Sequence, residues 1–599
     1  MRLSKVYSNR RETFEPVTFG PGLNVIMAEV RLPENQEKDT HNLGKTTFGR
    51  VLDFCFLAKK DNRSFLYKRK GVFDEFIFFL ELQLNDEEYL TIRRGVATAS
   101  KISFHRHSEG QKDFSKNPPV EWDHENLPFD RAKSLLDGML GWRGLQPWAF
   151  RHMLGYLLRS QGDFTDVFQL NKHKGKHADW KPFLANILGF DGVLVSKQYV
   201  AEQELEKKRE VQKTVELELH GSVADLPNIE GILSLKQDEA EKKQEHLDAF
   251  DFRAEDKACA EKIVYEVDGV IASLNAERYS LEYNKRKIES SLSEDKIMFD
   301  PAEAAKVFEE AGVIFPDQIK RDFQRLIEFN RAITDERRGY LREELGDIRS
   351  RLASVSDELH ELGGKRSKAL AFLSEADVFG KYKALSKEMI HLRAEIELLE
   401  MQRGQLQRLQ QLRKEIRSLE DYLLSVREEV EVNVEGESLA ESKGIFSAVR
   451  KHFSEIVDEV IDRKALLSVY INSEGHLDFK AEILDQSGRS TSADDGHTYK
   501  KLLCIAFDLA VLRAHLGERF PRFVYHDGFF ETLDDRKKEK LLSVIRKYAE
   551  LGLQSIVTLI DSDIPAREDD AEPVFSHEEI VLTLHDEGDD GRLFRMKPW

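Results

Sequence analysis

The chain reads LNVIM at Leu23–Met27 and HNLGKTT at His41–Thr47, then, about 480 residues later, FVYHD at Phe523–Asp527 and LD at Leu533-Asp534. LNVIM and Phe523–Tyr525 are short apolar runs of the kind that make buried strands. Gly44-Lys45-Thr46 follows the first strand and precedes a helical run, as in the back half of a phosphate cradle. Backbone amides at a helix N-terminus wrap phosphates, the lysine neutralises the β/γ charge, and the hydroxyl holds Mg²⁺. Asp527, at the end of the second strand, supplies the carboxylate that completes such a metal site. One nucleotide site is thus split between the two ends of the chain.

At 599 residues the chain exceeds a single core, so two lobes, or a lobe with an extension, are expected. One third of the residues are charged and only fifteen are proline, which suits long helices and argues against a disordered chain. With a formal net charge of −19, any nucleic-acid contact must come from a local basic patch. Cys55, Cys259 and Cys504 are too few and scattered for a disulfide framework or a zinc site. No secretory leader is read, and apolar runs such as Phe76–Leu80 are too short to span a bilayer. The expectation is a cytoplasmic protein with no membrane contact.

Residues 1–192 read as mixed α/β. Phe76–Leu84, Tyr89–Arg93 and Lys101–His105 form a strand meander, and helices are predicted at Lys45–Ala58, Phe129–Leu140, Pro147–Leu158 and Lys181–Leu188. From 193 to 432 the texture is heptad. Leu341, Leu345, Ile348, Leu352, Val355, Leu359 and Leu362 alternate four- and three-residue steps; Ile263, Val267, Val270, Leu274, Leu281, Ile288 and Leu292 keep a similar register upstream. Leu385, Leu392, Leu399 and Leu406 step by seven before the phase slips at Leu409. These stripes predict an antiparallel coiled-coil hairpin with its apex near 293–316, pairing Val195–Ser293 with Asp317–Val430 and placing Val267 near Leu352. Each arm is at most about 150 Å long. Gly221–Gly231, Gly363-Gly364 and Phe379-Gly380 are expected to break it. Residues 433–599 return to α/β: helix Ile445–Ile461, hairpin Leu467–Asn472 with Leu477–Leu484, helix Thr498–His515, helix Asp535–Glu550, strand Gln554–Leu559 and a final hairpin including Ile580–Leu584.

This layout resembles the SMC-like branch of the ABC ATPases, including the RecF and RecN types, in which a coiled coil separates two half-heads. The resemblance implies an ABC-type P-loop head of α/β class formed from both ends of the chain. Gly44, Lys45, Thr46 and Thr47 match its Walker A motif, with Asn42 alongside; Gln161 in Ser160-Gln161-Gly162 matches the Q-loop; Asp527 matches Walker B; and Leu533-Asp534 has the D-loop spacing. Ser492–His497 stands where the signature loop belongs, with Ser492 and Gly496 as its phosphate contacts. The implied cofactors are ATP and Mg²⁺, with Thr46, Gln161 and Asp527 around the metal and Asp534 among the nucleotide contacts. Among subfamilies, the chain looks most like ATPases of bacterial ABC-three-component-type conflict systems.

Four departures bear on turnover. The first P-loop glycine falls at Asp39, and about ten extra residues bulge around Val30–Asp39. Gly528 replaces the glutamate that follows the Walker B aspartate, leaving Glu531 as the nearest base. The signature-like loop carries Asp494 and Asp495 beside its phosphate contacts. No switch histidine follows Ile556-Val557-Thr558; Leu559 and Asp561 stand there instead. Lys45, Asp527 and Glu531 are therefore the catalytic candidates, with slow or partner-dependent hydrolysis.

Lys59, Lys60, Arg63, Lys68, Arg69 and Lys70, interleaved with Phe65 and Tyr67, read either as a DNA-tracking patch or as a solvated loop. Arg93-Arg94 reads as a nucleotide contact or a structural pair. Trp142, Trp148 and Trp180 read as packing, and His105, His107 and His152 lack metal-ligand spacing. The resemblance implies an ATPase that dimerises through its heads on ATP and acts on DNA in genome defence, with an effector or nuclease subunit encoded nearby. The alternatives are a nucleotide-binding sensor or scaffold with little hydrolysis, and a DNA repair or recombination ATPase.

Overall fold

A computed structural model describes the chain except for residues 33–42, 70, 117–121, 220–225, 250–253, 294–316, 372–375, 440–442, 486, 490–495, 532, 566–572 and 598–599. It is a mixed α/β structure with long helices, in two compact units. One joins Met1–Glu204 to Leu419–Trp599; the other is Leu205–Ser418.

Among its described residues the first unit is built on three sheets. Strands β1 (Arg2–Ser8), β2 (Val17–Thr18), β4 (Ile77–Gln83), β5 (Tyr89–Gly95), β6 (Lys101–His107) and β7 (His124–Pro128) form an antiparallel sheet in the order β2-β1-β4-β5-β6-β7. A second, parallel sheet has the order β13-β3-β12-β11-β8, from β3 (Leu23–Glu29), β8 (Leu158–Arg159), β11 (Phe523–His526), β12 (Gln554–Ile560) and β13 (Ile580–His585). Strands β9 (Ala465–Ile471) and β10 (Leu477–Ile483) pair as a separate hairpin. Nearly every residue of β3, β11 and β12 is buried, the pattern expected of parallel strands covered on both faces. Because β3, β12 and β11 run the same way side by side, the residues that leave their C-terminal ends emerge at one edge.

Several boundaries differ from the sequence reading for identifiable reasons. Helix α1 (Lys45–Cys55) stops short of Ala58 because Leu57 is left-handed and the fully buried Arg94 takes the carbonyls of Phe54 and Ala58. The helix expected over Pro147–Leu158 breaks into two short turns, since Leu158-Arg159 is drawn into the sheet as β8 beside Tyr525-His526. The final hairpin is corrected too: β13 pairs parallel with β3.

The second unit is helical, and the predicted apex lies outside the described residues. Within Leu205–Ser418, the included parts of α2 (Gly192–Leu219) and α6 (Ala376–Ser438) face each other, α3 (Leu226–Asp248) also faces α6, and α4 (Ala254–Ser293) faces α5 (Asp317–Ala371). Cross-helix ion pairs run in opposite senses: Lys208–Glu415, Lys236–Glu395 and Lys243–Glu388 in one pair, Glu289–Arg349, Glu277–Arg351 and Asp268–Arg366 in the other. The exposed pairs among these, such as Glu289–Arg349, contribute little energy, whereas Asp268–Arg366 is largely buried. The apolar seam, with Ile288 against Leu345 and Ile348, sets the register. Gly363-Gly364 and Phe379-Gly380 do not break the arm, contrary to expectation, because seam packing offsets about 1 kcal/mol per helical glycine. Val267 packs near Leu359 and Leu362, whereas Leu352 belongs to the Ile288 cluster, so the expected pairing of Val267 with Leu352 is corrected by about two turns. The first half of α4 also meets α6, through Asp268 with Ser386 and Ile271 with Ile390, so that three helices converge there. Cysteines introduced by Glu277→Cys and Arg351→Cys should join within one chain through a short bismaleimide; products found only between chains would overturn this pairing.

Candidate functional site

Helix α1 begins without a side-chain cap. Its N-cap is Gly44, left-handed at φ 108°, and no acidic residue occupies the first turn. The first amides of a helix have no partner within it, so the Gly44–Thr47 turn presents donors and a positive dipole end to an anion. Glycine is required here twice: for the dihedral, and because a Cβ would lie 2.6 Å from that of Leu593. The C-terminal segment also fixes both flanks of the inserted loop. Leu593 N donates to Leu43 O at 3.0 Å, and Arg31 N donates to Asp586 Oδ1 at 2.9 Å. Phe594 is buried among Phe14, Phe65, Phe73 and Phe76, which anchors that segment. Asn42 and Asp39 lie outside the described residues.

Asp527 leaves the end of β11 fully buried. Its amide donates to Arg159 O, its Oδ1 accepts from Thr558 Oγ1 at 2.7 Å, and its Oδ2 has no partner among the described residues. An orphaned buried carboxylate oxygen is the group a hard cation satisfies. Thr46, Gln161 and Asp527 line one cavity of about 500 Å³, together with Gly49, Arg50 and Lys172. The three metal candidates are thus gathered from the ends of a helix, a loop and a strand. Lys45 is half-buried beside them. Burial pushes its pKa below the ordinary lysine value, against the charges of Glu531, Asp527 and Asp563. Tyr525 holds α1 in place, donating through its hydroxyl to Lys45 O at 2.9 Å and crowding Gly49.

Gly528 is left-handed at φ 68°, and its amide donates to Thr558 Oγ1 at 2.8 Å. A Cβ built on Gly528 would lie 2.6 Å from the carboxyl carbon and both oxygens of Glu531. Glu531 therefore fills the space into which a side chain at position 528 would project. Gln161 Nε2 donates to its Oε1 at 2.6 Å, and Lys501 Nζ lies 3.1 Å from its Oε2. The same clash means that Gly528→Glu would displace Glu531 from a strained backbone, so it would not simply restore a missing base.

The remaining candidates are dispersed. Thr47 lies half-buried on α1. Gly496 is the N-cap of helix α8 (His497–Ala514), while Ser492, Asp494 and Asp495 lie outside the described residues. Asp534 caps helix α9 (Asp535–Glu550), accepting from Lys537 N and pairing with its ammonium at 2.6 Å. Leu559 is core, and Asp561 accepts from Val30 N at 3.1 Å. The acid after β12 whose charge acts on Lys45 is Asp563, and its own pKa is raised first by burial and then by the charge of Glu531. Lys59, Lys60, Arg63, Lys68 and Arg69 are exposed, but Phe65 packs into the core and Tyr67 lies under Lys60. These aromatics are therefore not a stacking platform. Arg94 is structural, as its carbonyl partners show.

Sequence reasoning missed Thr558, Asp563 and Lys501. It also missed the buried Arg159–Asp508 pair, whose two bonds of 2.8 Å tie β8 to α8. Their positions gave no motif signal; only the fold brings them to the strand ends.

Residues 456–598 match the family described as "Uncharacterised protein conserved in bacteria (DUF2326)". That stretch contains Asp527, Glu531 and Thr558 but not Lys45. No curated protein matches the chain. Among solved structures, the chain is similar to the Smc head domain with a coiled coil and joint from Pyrococcus yayanosii, at 14% identity over 93% of this chain and 92% of that one, with TM-score 0.33. It is also similar to the Smc head domain with an extended coiled coil bound to the C-terminal domain of ScpA from Pyrococcus furiosus, at 12% identity over 94% and 90%, with TM-score 0.33. Scores this low leave the reading of function to the residues of this chain's own site.

Proposed function

We propose that the chain is an SMC-like ATP-binding ATPase with an ABC-type head assembled from 1–192 and 433–599 and a coiled-coil arm over 193–432. The observation that carries this reading is the meeting, at one edge of a parallel sheet, of an uncapped helix N-terminus bearing Lys45 and Thr46 with the unpartnered oxygen of Asp527. Thr46, Asp527 and Gln161 would hold Mg²⁺, which shields phosphate charge when bound. Gly44, Lys45 and Thr47 would hold the phosphates through amides and charge, with Asn42 beside them. Ser492 and Gly496 would face the nucleotide of a second head, with Asp534 near that junction. Glu531 would accept the proton of the attacking water.

Two heads would then close on ATP·Mg²⁺, and the coils would carry that change to DNA and to an effector or nuclease subunit in a bacterial genome-defence system. A second reading is a sensor that binds nucleotide with little turnover. It is favoured by one observation: both Glu531 oxygens are already engaged, by Gln161 and Lys501. Sedimentation of the full chain tests the shared part. ATP·Mg²⁺ should double the mass of the nucleotide-free protein and ADP should not; ATP binding with no change in mass would remove the head-dimer reading.

A further inference from the structure

We propose that Lys501 is the positioning residue that fixes Glu531 in the space of the missing residue-528 side chain and couples it to helix α8. The inference rests on the reading of Glu531 as the water-activating base. In that step the oxygen of water bonds to the γ-phosphorus, the bond to the β–γ bridging oxygen breaks, and the proton of water passes to Glu531.

Lys501 is a lysine with a side chain only 2% exposed, and such a charge persists in a protein interior only when paired. Its ammonium does two things at once. It donates to the carbonyl of Gly528 and lies 3.1 Å from Glu531 Oε2, so both ends of the Gly528–Glu531 turn converge on one cation. The ring of Phe164, 5.1 Å away, covers another side of it. Within the turn the backbone link is weak: Glu531 N reaches Gly528 O at only 3.4 Å. Without Lys501 the carboxylate would keep the bond from Gln161 on Oε1 alone and could rotate about it. Gln161 is itself a metal candidate, so Lys501 is the partner of Glu531 that need not move when the metal site fills.

The test is turnover and equilibrium ATP·Mg²⁺ binding of the full chain carrying Lys501→Met, Lys501→Arg or Lys501→Gln. Lys501→Met should lower kcat by about 10–100-fold, the scale of a misplaced catalytic group, with KM and ATP affinity within about threefold of wild type. Lys501→Arg should restore most of kcat. In a Glu531→Gln background, Lys501→Met should cost nothing further, because both act through one group. If the methionine variant fails to fold, Lys501→Gln, which keeps a donor to Gly528 O, decides the matter by the same kcat loss. Wild-type kcat in the neutral variants, or losses that add to that of Glu531→Gln, would overturn the proposal. Should Glu531→Gln itself leave turnover unchanged, the base reading fails, and the positioning role falls with it.

Discussion

Glu531→Gln is expected to lower ATP turnover by about 10²–10⁴-fold, the usual cost of losing a positioned base, with ATP·Mg²⁺ affinity held within a few-fold of wild type. The substitution keeps the shape of a side chain whose carboxyl group fills the space beside Gly528. It removes the ability to take a proton, and it turns one acceptor into an amide donor facing either Gln161 or Lys501, both of which are donors. One of those bonds must therefore be given up or reoriented. In the proposed site, binding would depend on Gly44–Thr46 and Asp527, which the change does not touch. The variant should thus accumulate as a nucleotide-bound dimer, visible by sedimentation. Undiminished turnover would show that another group activates the water, and Asp563, near Lys45 and Glu531, would be the next candidate.

Lys45→Ala is expected to weaken ATP·Mg²⁺ binding by at least about 100-fold, since one hydrogen bond to a charged group contributes roughly 1.5–3 kcal/mol and Lys45, in the proposed site, would also supply countercharge to the phosphates. The fold should survive. Burial already disfavours the charged Lys45, and Lys501 and Lys538 remain among the acids of the site. Asp527→Asn attacks the same affinity from the metal side. The asparagine oxygen can still accept from Thr558, but its amide would occupy the position of the free Oδ2 and present protons where a cation is expected. Its loss should therefore appear only when Mg²⁺ is present.

Much of the architecture is local and so was legible in the sequence. Helices Ile445–Ile461 and Asp535–Glu550 and strands Leu23–Met27 and Phe523–Tyr525 declare themselves through their local apolar patterns, and the structure places them there to within two residues. Lys45, Thr46, Gln161 and Asp527 were legible as candidates because each sits in a motif whose chemistry constrains its neighbours, and the fold brings Thr46, Gln161 and Asp527 to one cavity. What escaped depends on segments distant in sequence. Lys501 meets Glu531 only because α8 packs against the end of β11, and Leu593 reaches Gly44 across 549 positions of the chain. Glycine pairs misled in the other direction: Gly363-Gly364 is read locally as a helix breaker, but the coiled-coil seam holds the helix through it. The strand pattern of Ile580–Leu584 was correct, yet periodicity cannot distinguish a hairpin partner from a parallel edge strand.

The central claim is a Mg²⁺-dependent nucleotide site made from both ends of the chain. Its most direct test is equilibrium titration of ATP into the full-length wild type, Lys45→Ala and Asp527→Asn proteins, each with Mg²⁺ and with EDTA. Wild type should bind tightly and more weakly in EDTA, Asp527→Asn should show no Mg²⁺ dependence, and Lys45→Ala should bind little under either condition. Equal affinities in all three proteins, with and without Mg²⁺, would contradict it.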